Sequence, residues 1–251
     1  MSILCYHAVE DGWPSPMAVR PVDFYEQAEW LARQRRVLPL DAAVEQLDRR
    51  GRPPRGVTAL TFDDGFASLY DHAWPLLRRH RLPATVFLVA ETLTARGRAV
   101  DWVDTPPAGR QLVTLTRDQV LEMQRDGVDF QSHSWAHRDL TTLEPAELVT
   151  DLRESRLLLE ELLGKPVRHL AYPRGRHDQH VRSAARLAGY SYAYALPESR
   201  EQPGPFAVPR VGVHYGNSLR VVQAKDHPRY LGVRTSAAWK ATGALRAVGR
   251  V

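Results

Sequence analysis

Two short motifs hold the residues best suited to chemistry. Thr61-Phe62-Asp63-Asp64-Gly65 supplies two adjacent carboxylates, and Ser132-His133-Ser134-Trp135-Ala136-His137 supplies two imidazoles. Two imidazoles and one carboxylate suit a divalent cation with an open coordination position, and the second carboxylate is left over as a base. Neighbours on an ideal strand point to opposite faces. At a strand end, Gly65 lets the backbone turn so that both carboxylates face one site. Carboxylates this close do not titrate alike. If a cation takes Asp64, Asp63 stays free as a general base. Taken alone, Asp-Asp-Gly also reads as a capping turn, and two histidines four apart as one core and one surface residue. Their joint occurrence, each after an apolar run, favours a site.

The elements that must position these residues alternate. Ile3 to Tyr6, Val57 to Phe62, Ala84 to Val89, Val128 to Ser132, Arg168 to Tyr172, Tyr190 to Ala195 and Ala207 to Val213 read as strands. Helical patterns lie between them. One is capped by Asp23 and one by Asp41, and others cover Tyr70 to His80, Thr116 to Arg125, Pro145 to Leu163 and Val181 to Leu187. Residues 50–56 and the polar excursion from Glu91 to Gly109 read as loops, the second on the substrate side. Strictly alternating units imply a parallel α/β sheet, open or closed into a (β/α) barrel, and active sites then gather at the strands' C-terminal ends.

Composition sets the limits. The chain has 251 residues and 43% hydrophobic content, enough for a full core. The single cysteine, Cys5, excludes an internal disulfide and a thiolate metal cluster, so a metal must be held by histidine and carboxylate. Zn2+ is the expected ion, and Co2+ or Ni2+ also suits such a set. No segment is apolar enough to span a bilayer. The N-terminus lacks a secretory signal pattern, so a cytoplasmic location is expected. The net charge of +5 favours anionic partners, but no nucleic-acid-binding motif is present. Residues 1–219 are expected to form the catalytic domain. Residues 220–251 form a basic tail packed on it or trailing from it.

On the two motifs, in this order and spacing, the chain resembles the polysaccharide deacetylase family: the family 4 carbohydrate esterases, or nodulation-type chitooligosaccharide deacetylases. The similarity runs from about Ile3 to about Val213. It implies a distorted (β/α) barrel, often of seven strands. It also implies Asp63 as catalytic base and Asp64, His133 and His137 as metal ligands. The implied activity is hydrolysis of the N-acetyl group of an amino sugar by metal-bound water, releasing acetate. The sugar belongs to an oligosaccharide, a lipid-linked sugar or a glycosylated metabolite.

The family's third motif is only partly present. In Leu170-Ala171-Tyr172-Pro173-Arg174-Gly175, the arginine that orients the base in relatives falls on Ala171. Pro173 and Gly175 keep the turn, so the Arg174 amide remains a candidate oxyanion donor. This variant, together with Tyr6-His7-Ala8-Val9, is similar to the surface- and biofilm-polysaccharide branch. By the same resemblance His214 is the nearest candidate general acid. Trp135, Tyr172 and His7 are expected on the substrate side. Trp102 is expected either to stack on a sugar or to anchor its loop. Two other functions fit the same residues: hydrolysis of a non-sugar amide or imide, and a decayed glycan-binding module, which the missing arginine would favour.

Overall fold

The computed structural model describes residues 1–50, 56–197 and 201–236, the side chain of Arg50 excepted. The loop expected at residues 50–56 falls almost entirely outside them, as does the end of the basic tail.

Eight short parallel strands make the barrel wall: β1 (Ser2–Tyr6), β2 (Val57–Phe62), β3 (Ala84–Leu88), β4 (Asp129–Ser132), β5 (His169–Ala171), β6 (Tyr192–Ala195), β7 (Val208–Pro209) and β8 (Val211–Gly212). They run in the order β7-β6-β5-β4-β3-β2-β1-β8. β7 and β8 are successive pieces of one segment, broken at Arg210. β7 pairs with β6 and β8 with β1, so this segment bridges the two edges and nearly closes the sheet. Counted as one strand it gives the expected seven. The Arg210 amide donates to the Ala195 carbonyl on one side, and the Val213 amide to Cys5 on the other.

Strand alternation sorts the core. Leu4, Tyr6, Leu60, Phe62, Val86, Leu88, Phe130 and Leu170 face outward and pack against the helices. Those helices include α1 (Pro21–Gln34), α3 (Trp74–His80), α4 (Arg117–Arg125), α5 (Pro145–Leu163) and α6 (Gln179–Leu187). Ile3, Ala59, Phe87, Ala171, Tyr194 and Val208 form a separate cluster with Leu40, Ala43 and Val44 of α2 (Leu40–Arg50), which closes one barrel end.

Local signals set most helix ends. α5 starts at Pro145 and ends on Gly164 in the left-handed conformation, φ 64°. Thr116 and Gln119 form a reciprocal capping box on α4. Asp23 does not cap α1. The helix starts earlier, at Pro21, and Asp23 sits in its first turn, paired with Arg20 at 2.7 Å.

Beyond residue 219 the chain still packs on the barrel. α7 (Leu219–Lys225) sends the Lys225 ammonium to the Gly212 carbonyl at 2.7 Å. Asp226 accepts from Ser2 and from Thr58 and pairs with Arg35. α8 (Tyr230–Arg234) follows. No helix among the described residues is long and apolar enough to cross a membrane.

Candidate active site

Asp63 and Asp64 follow β2 directly, and His133 follows β4, so the motif residues emerge at the C-terminal ends of two parallel strands that flank β3. Asp64 and Gly65 both adopt positive φ, 68° and 66°. This double left-handed turn brings the second carboxylate round to the first. The positive φ at position 65 favours glycine, and a Cβ there would also press on the end of the Leu88 side chain at 2.7 Å. Ser134 (φ 67°), His137 (φ 53°) and Arg174 (φ 58°) are likewise left-handed. Among the described residues, five non-glycine residues lie in this region of φ; four belong to the site loops and one, Arg81, does not. Each such residue costs about 1 kcal/mol or more, a cost that structures retain where side-chain placement demands it.

The two motifs meet. His137 Nε2 lies 3.2 Å and His133 Nε2 3.7 Å from Asp64 Oδ1. Ligand atoms of all three residues lie within 4.8 Å of one another, and all three side chains are buried. His133 Nδ1 is 2.8 Å from the Ala171 carbonyl. A carbonyl only accepts, so Nδ1 carries the proton and the Nε2 lone pair faces Asp64. Asp64 Oδ2 is buried and has no hydrogen-bond partner among the described residues. Deprotonated imidazole nitrogens and an unpartnered carboxylate oxygen are the donor set that a divalent cation satisfies.

Asp63 is held differently. Arg210 grips it with two parallel bonds of 2.6 Å, Nη1 to Oδ1 and Nη2 to Oδ2. Both side chains are almost wholly buried. The guanidinium also donates to Thr61 and lies over the Phe87 ring, 5.2 Å from its centroid. The family's arginine is thus missing from Ala171 but has a counterpart from the strand that closes the barrel. The sequence carried one clue to it. In Val208-Pro209-Arg210-Val211-Gly212-Val213 a single charge interrupts an apolar strand, and a charge buried there requires an opposite partner. His7 completes the group. It is 7% exposed, with Nε2 4.0 Å from Asp63 Oδ2. Cys5 lies 3.4 Å from the same oxygen.

The electrostatics separate the two aspartates. Burial and the adjacent Asp63 charge push Asp64 up to about 8. Burial also acts to raise Asp63, but the Arg210 charge and its bonds, with His133, outweigh it and hold Asp63 well below the usual carboxylate range. Burial lowers His7 to about 4 and, with His133 and Arg174, lowers His137 to about 2. The imidazoles are therefore neutral at neutral pH.

A pH-dependent stability follows for the metal-free protein. Folded Asp64 titrates above its unfolded value, so its contribution is fully present below about pH 4 and is lost as pH rises to about 8. The lowered histidines, His7, His133 and His137 among them, act oppositely, but only below about pH 6.5. Thermal melts in chelator should therefore fall from pH 6.5 to 8, and saturating Zn2+ should remove the fall. An equal fall with Zn2+ present would contradict this origin.

Other expected residues lie elsewhere. Tyr172 is fully buried (0% exposed), and its hydroxyl donates to the Phe206 carbonyl at 3.0 Å. Strand parity puts it with Leu170 on the outer face, so it does not reach substrate. His214 lies past the end of β8, with Nδ1 2.8 Å from the Pro16 carbonyl, and His7 rather than His214 stands against Asp63. Trp135 is half-buried on the loop between the two histidines, its amide tied to Asp151 at 2.9 Å. The Arg174 turn is closed by the Gly175 and Arg176 amides, which bond the Tyr172 and Pro173 carbonyls and leave the Arg174 amide out of both bonds. Trp102 anchors the long loop: its indole donates to Asp64 Oδ1 at 3.0 Å and stacks on His137 at 5.0 Å.

Comparison with known proteins agrees with this geometry. The sequence model of the polysaccharide deacetylase family matches residues 50–193, more than half of the chain. The chain belongs to the polysaccharide deacetylase family. YxkH of Bacillus subtilis is 26% identical over 223 residues, covering 87% of this chain and 73% of the relative. The poly-β-1,6-N-acetyl-D-glucosamine N-deacetylase of Staphylococcus epidermidis is 27% identical over 206 residues, covering 77% of this chain and 67% of the relative. Among solved structures, the Streptococcus pyogenes deacetylase PplD in complex with acetate superposes with a TM-score of 0.78 at 24% identity, covering 91% and 98% of the two chains. IcaB from Ammonifex degensii does so with a TM-score of 0.73 at 25% identity, covering 90% and 96%. The superpositions agree with the distorted (β/α) barrel that the sequence implied.

Proposed function

We propose that this polysaccharide deacetylase family member is a divalent-metal-dependent N-deacetylase that releases acetate from an N-acetylated amino-sugar chain. One observation carries the reading: a carboxylate clamped in its ionised form stands beside a buried Asp-His-His set. The named activity of the Staphylococcus epidermidis relative supports a glycan containing N-acetylglucosamine as substrate. Arg210 also removes the main reason to suspect a decayed site.

Asp64, His133 and His137 are the residues that would hold the ion, and Zn2+ suits them. Such an ion supplies Lewis acidity toward the water and the acetyl carbonyl. The chain's own groups do the rest. Asp63, ionised across the physiological range, takes a proton from the attacking water. Arg210 fixes both of its oxygens, so the lone pairs left to it point in set directions. The Arg174 amide is the candidate donor to the developing oxyanion. The proton collected by Asp63 passes to His7 and on to the departing nitrogen as the C–N bond breaks, giving acetate and a free amine.

Acetate release that a chelator abolishes and Zn2+ restores is the expected result, and undiminished release after chelation would overturn the metal dependence. The acid assignment has its own test. His7→Gln should lower kcat by about 10²–10⁴, whereas His214→Gln should change it less than about threefold. The reverse ranking would return the role to His214.

A further inference from the structure

The Arg174 turn borders a second cavity, of about 320 Å³, that the chemistry above does not use. Its walls include Arg174, Arg176, His177, Leu196 and Glu201. It adjoins the metal-type triad through a single residue. The Arg174 guanidinium donates to the Trp102 carbonyl at 3.2 Å, and the Trp102 indole donates to Asp64. Arg174 also acts electrostatically on both Asp64 and His137. The cavity and the triad are thus joined through Arg174 and Trp102.

The charges there are unequal in their compensation. Arg176 is tied to Asp139 at 2.8 Å, and His177 to Glu201 at 3.2 Å. Among the described residues, Arg174 pairs with Asp104, at 3.8 Å and with the Asp104 side chain 85% exposed. An ion pair that long and that wet neutralises little. Arg174 is also placed by the backbone. It and Gly175 are both left-handed, and a Cβ at position 175 would meet Leu196 at 2.7 Å, so the turn is seated directly against the cavity wall. The guanidinium gives one donor to the Trp102 carbonyl and has further N–H donors to offer a carboxylate or phosphate.

Resting on the deacetylase reading, we infer that this cavity is a subsite for an anionic substituent, carboxylate or phosphate, beside the N-acetylated ring. Arg174 is the residue that selects for it. The preferred substrate is then an acidic glycan rather than a neutral one.

The test is calorimetric titration of the zinc-loaded protein with three ligands: the N-acetylglucosamine disaccharide, its 6-phosphate, and the N-acetylglucosamine–N-acetylmuramic acid disaccharide, with acetate release followed in parallel. At least one acidic ligand should bind about tenfold more tightly than the neutral one, and which one does distinguishes phosphate from carboxylate. Arg174→Gln should bring that ratio to about one, Arg176→Gln should reduce it less, and Arg174→Lys should keep only part of it. Equal binding of all three would overturn the proposal. So would a preference unchanged in Arg174→Gln, which would place the anion on the metal itself. Binding decides the subsite even if no acetate appears, whereas absence of acetate from every ligand counts against the deacetylase reading alone.

Discussion

Arg210→Leu is expected to abolish acetate release and to destabilise the fold, while the double variant Arg210→Leu/Asp63→Asn recovers the stability but not the activity. The carboxylate and guanidinium are both buried and joined by two short bonds. Removing one partner strands a charge in the barrel, at a cost of about 3–5 kcal/mol. Asparagine at 63 removes the stranded charge, so most of that cost should return. Activity should not return, because the proton acceptor is gone. Denaturant midpoints for the four proteins of this cycle check the coupling. Additive effects of the two substitutions would mean that the pair does not act as a unit.

The second large effect concerns the cation. His137→Ala and His133→Ala are each expected to lose stoichiometric Zn2+ binding, and with it nearly all turnover. Each imidazole faces Asp64 Oδ1, and neither has a neighbour among the described residues that can replace it as a ligand in this group. Loss of the ion removes the Lewis acid for both water and carbonyl, and with it several kcal/mol of transition-state stabilisation. His133→Ala also frees the Ala171 carbonyl, so it should be the less stable of the two. Metal content by mass spectrometry, set beside acetate release, checks both. A variant that keeps full activity without bound metal would contradict the ligand assignment.

Much of this was legible in the sequence, and what escaped did so for physical reasons. The limits of α5 and the capped start of α4 are written in local chemistry, Pro145 and Gly164 for one and Thr116 for the other. The four motif residues sit at strand ends, and parallel βα alternation is enough to bring such ends together. Arg210 is far from Asp63 in the chain, and their contact exists only because its segment bridges the two edges of the sheet. Spacing does not encode that. Tyr172 stands beside the Pro173 turn in sequence, but strand parity turns its ring to the outer face. His214 lies near a late strand in sequence, but its ring is bonded to the Pro16 carbonyl. The decisive quantity is distance to Asp63, and His7, from the end of the first strand, has it. For α1, a proline at the first helical position proved a stronger start signal than the aspartate two residues later.

If Asp63 does the proton chemistry while Asp64, His133 and His137 hold the ion, the two roles separate in one experiment: acetate release from N-acetylglucosamine oligomers by wild type and Asp63→Asn, each titrated with Zn2+ from the metal-free state. Wild-type release should rise in step with bound Zn2+ to one equivalent. Asp63→Asn should bind the same equivalent but lose about 10²–10⁴ in rate. Near-wild-type release from Asp63→Asn, or release that ignores the zinc titration, would contradict this division of roles.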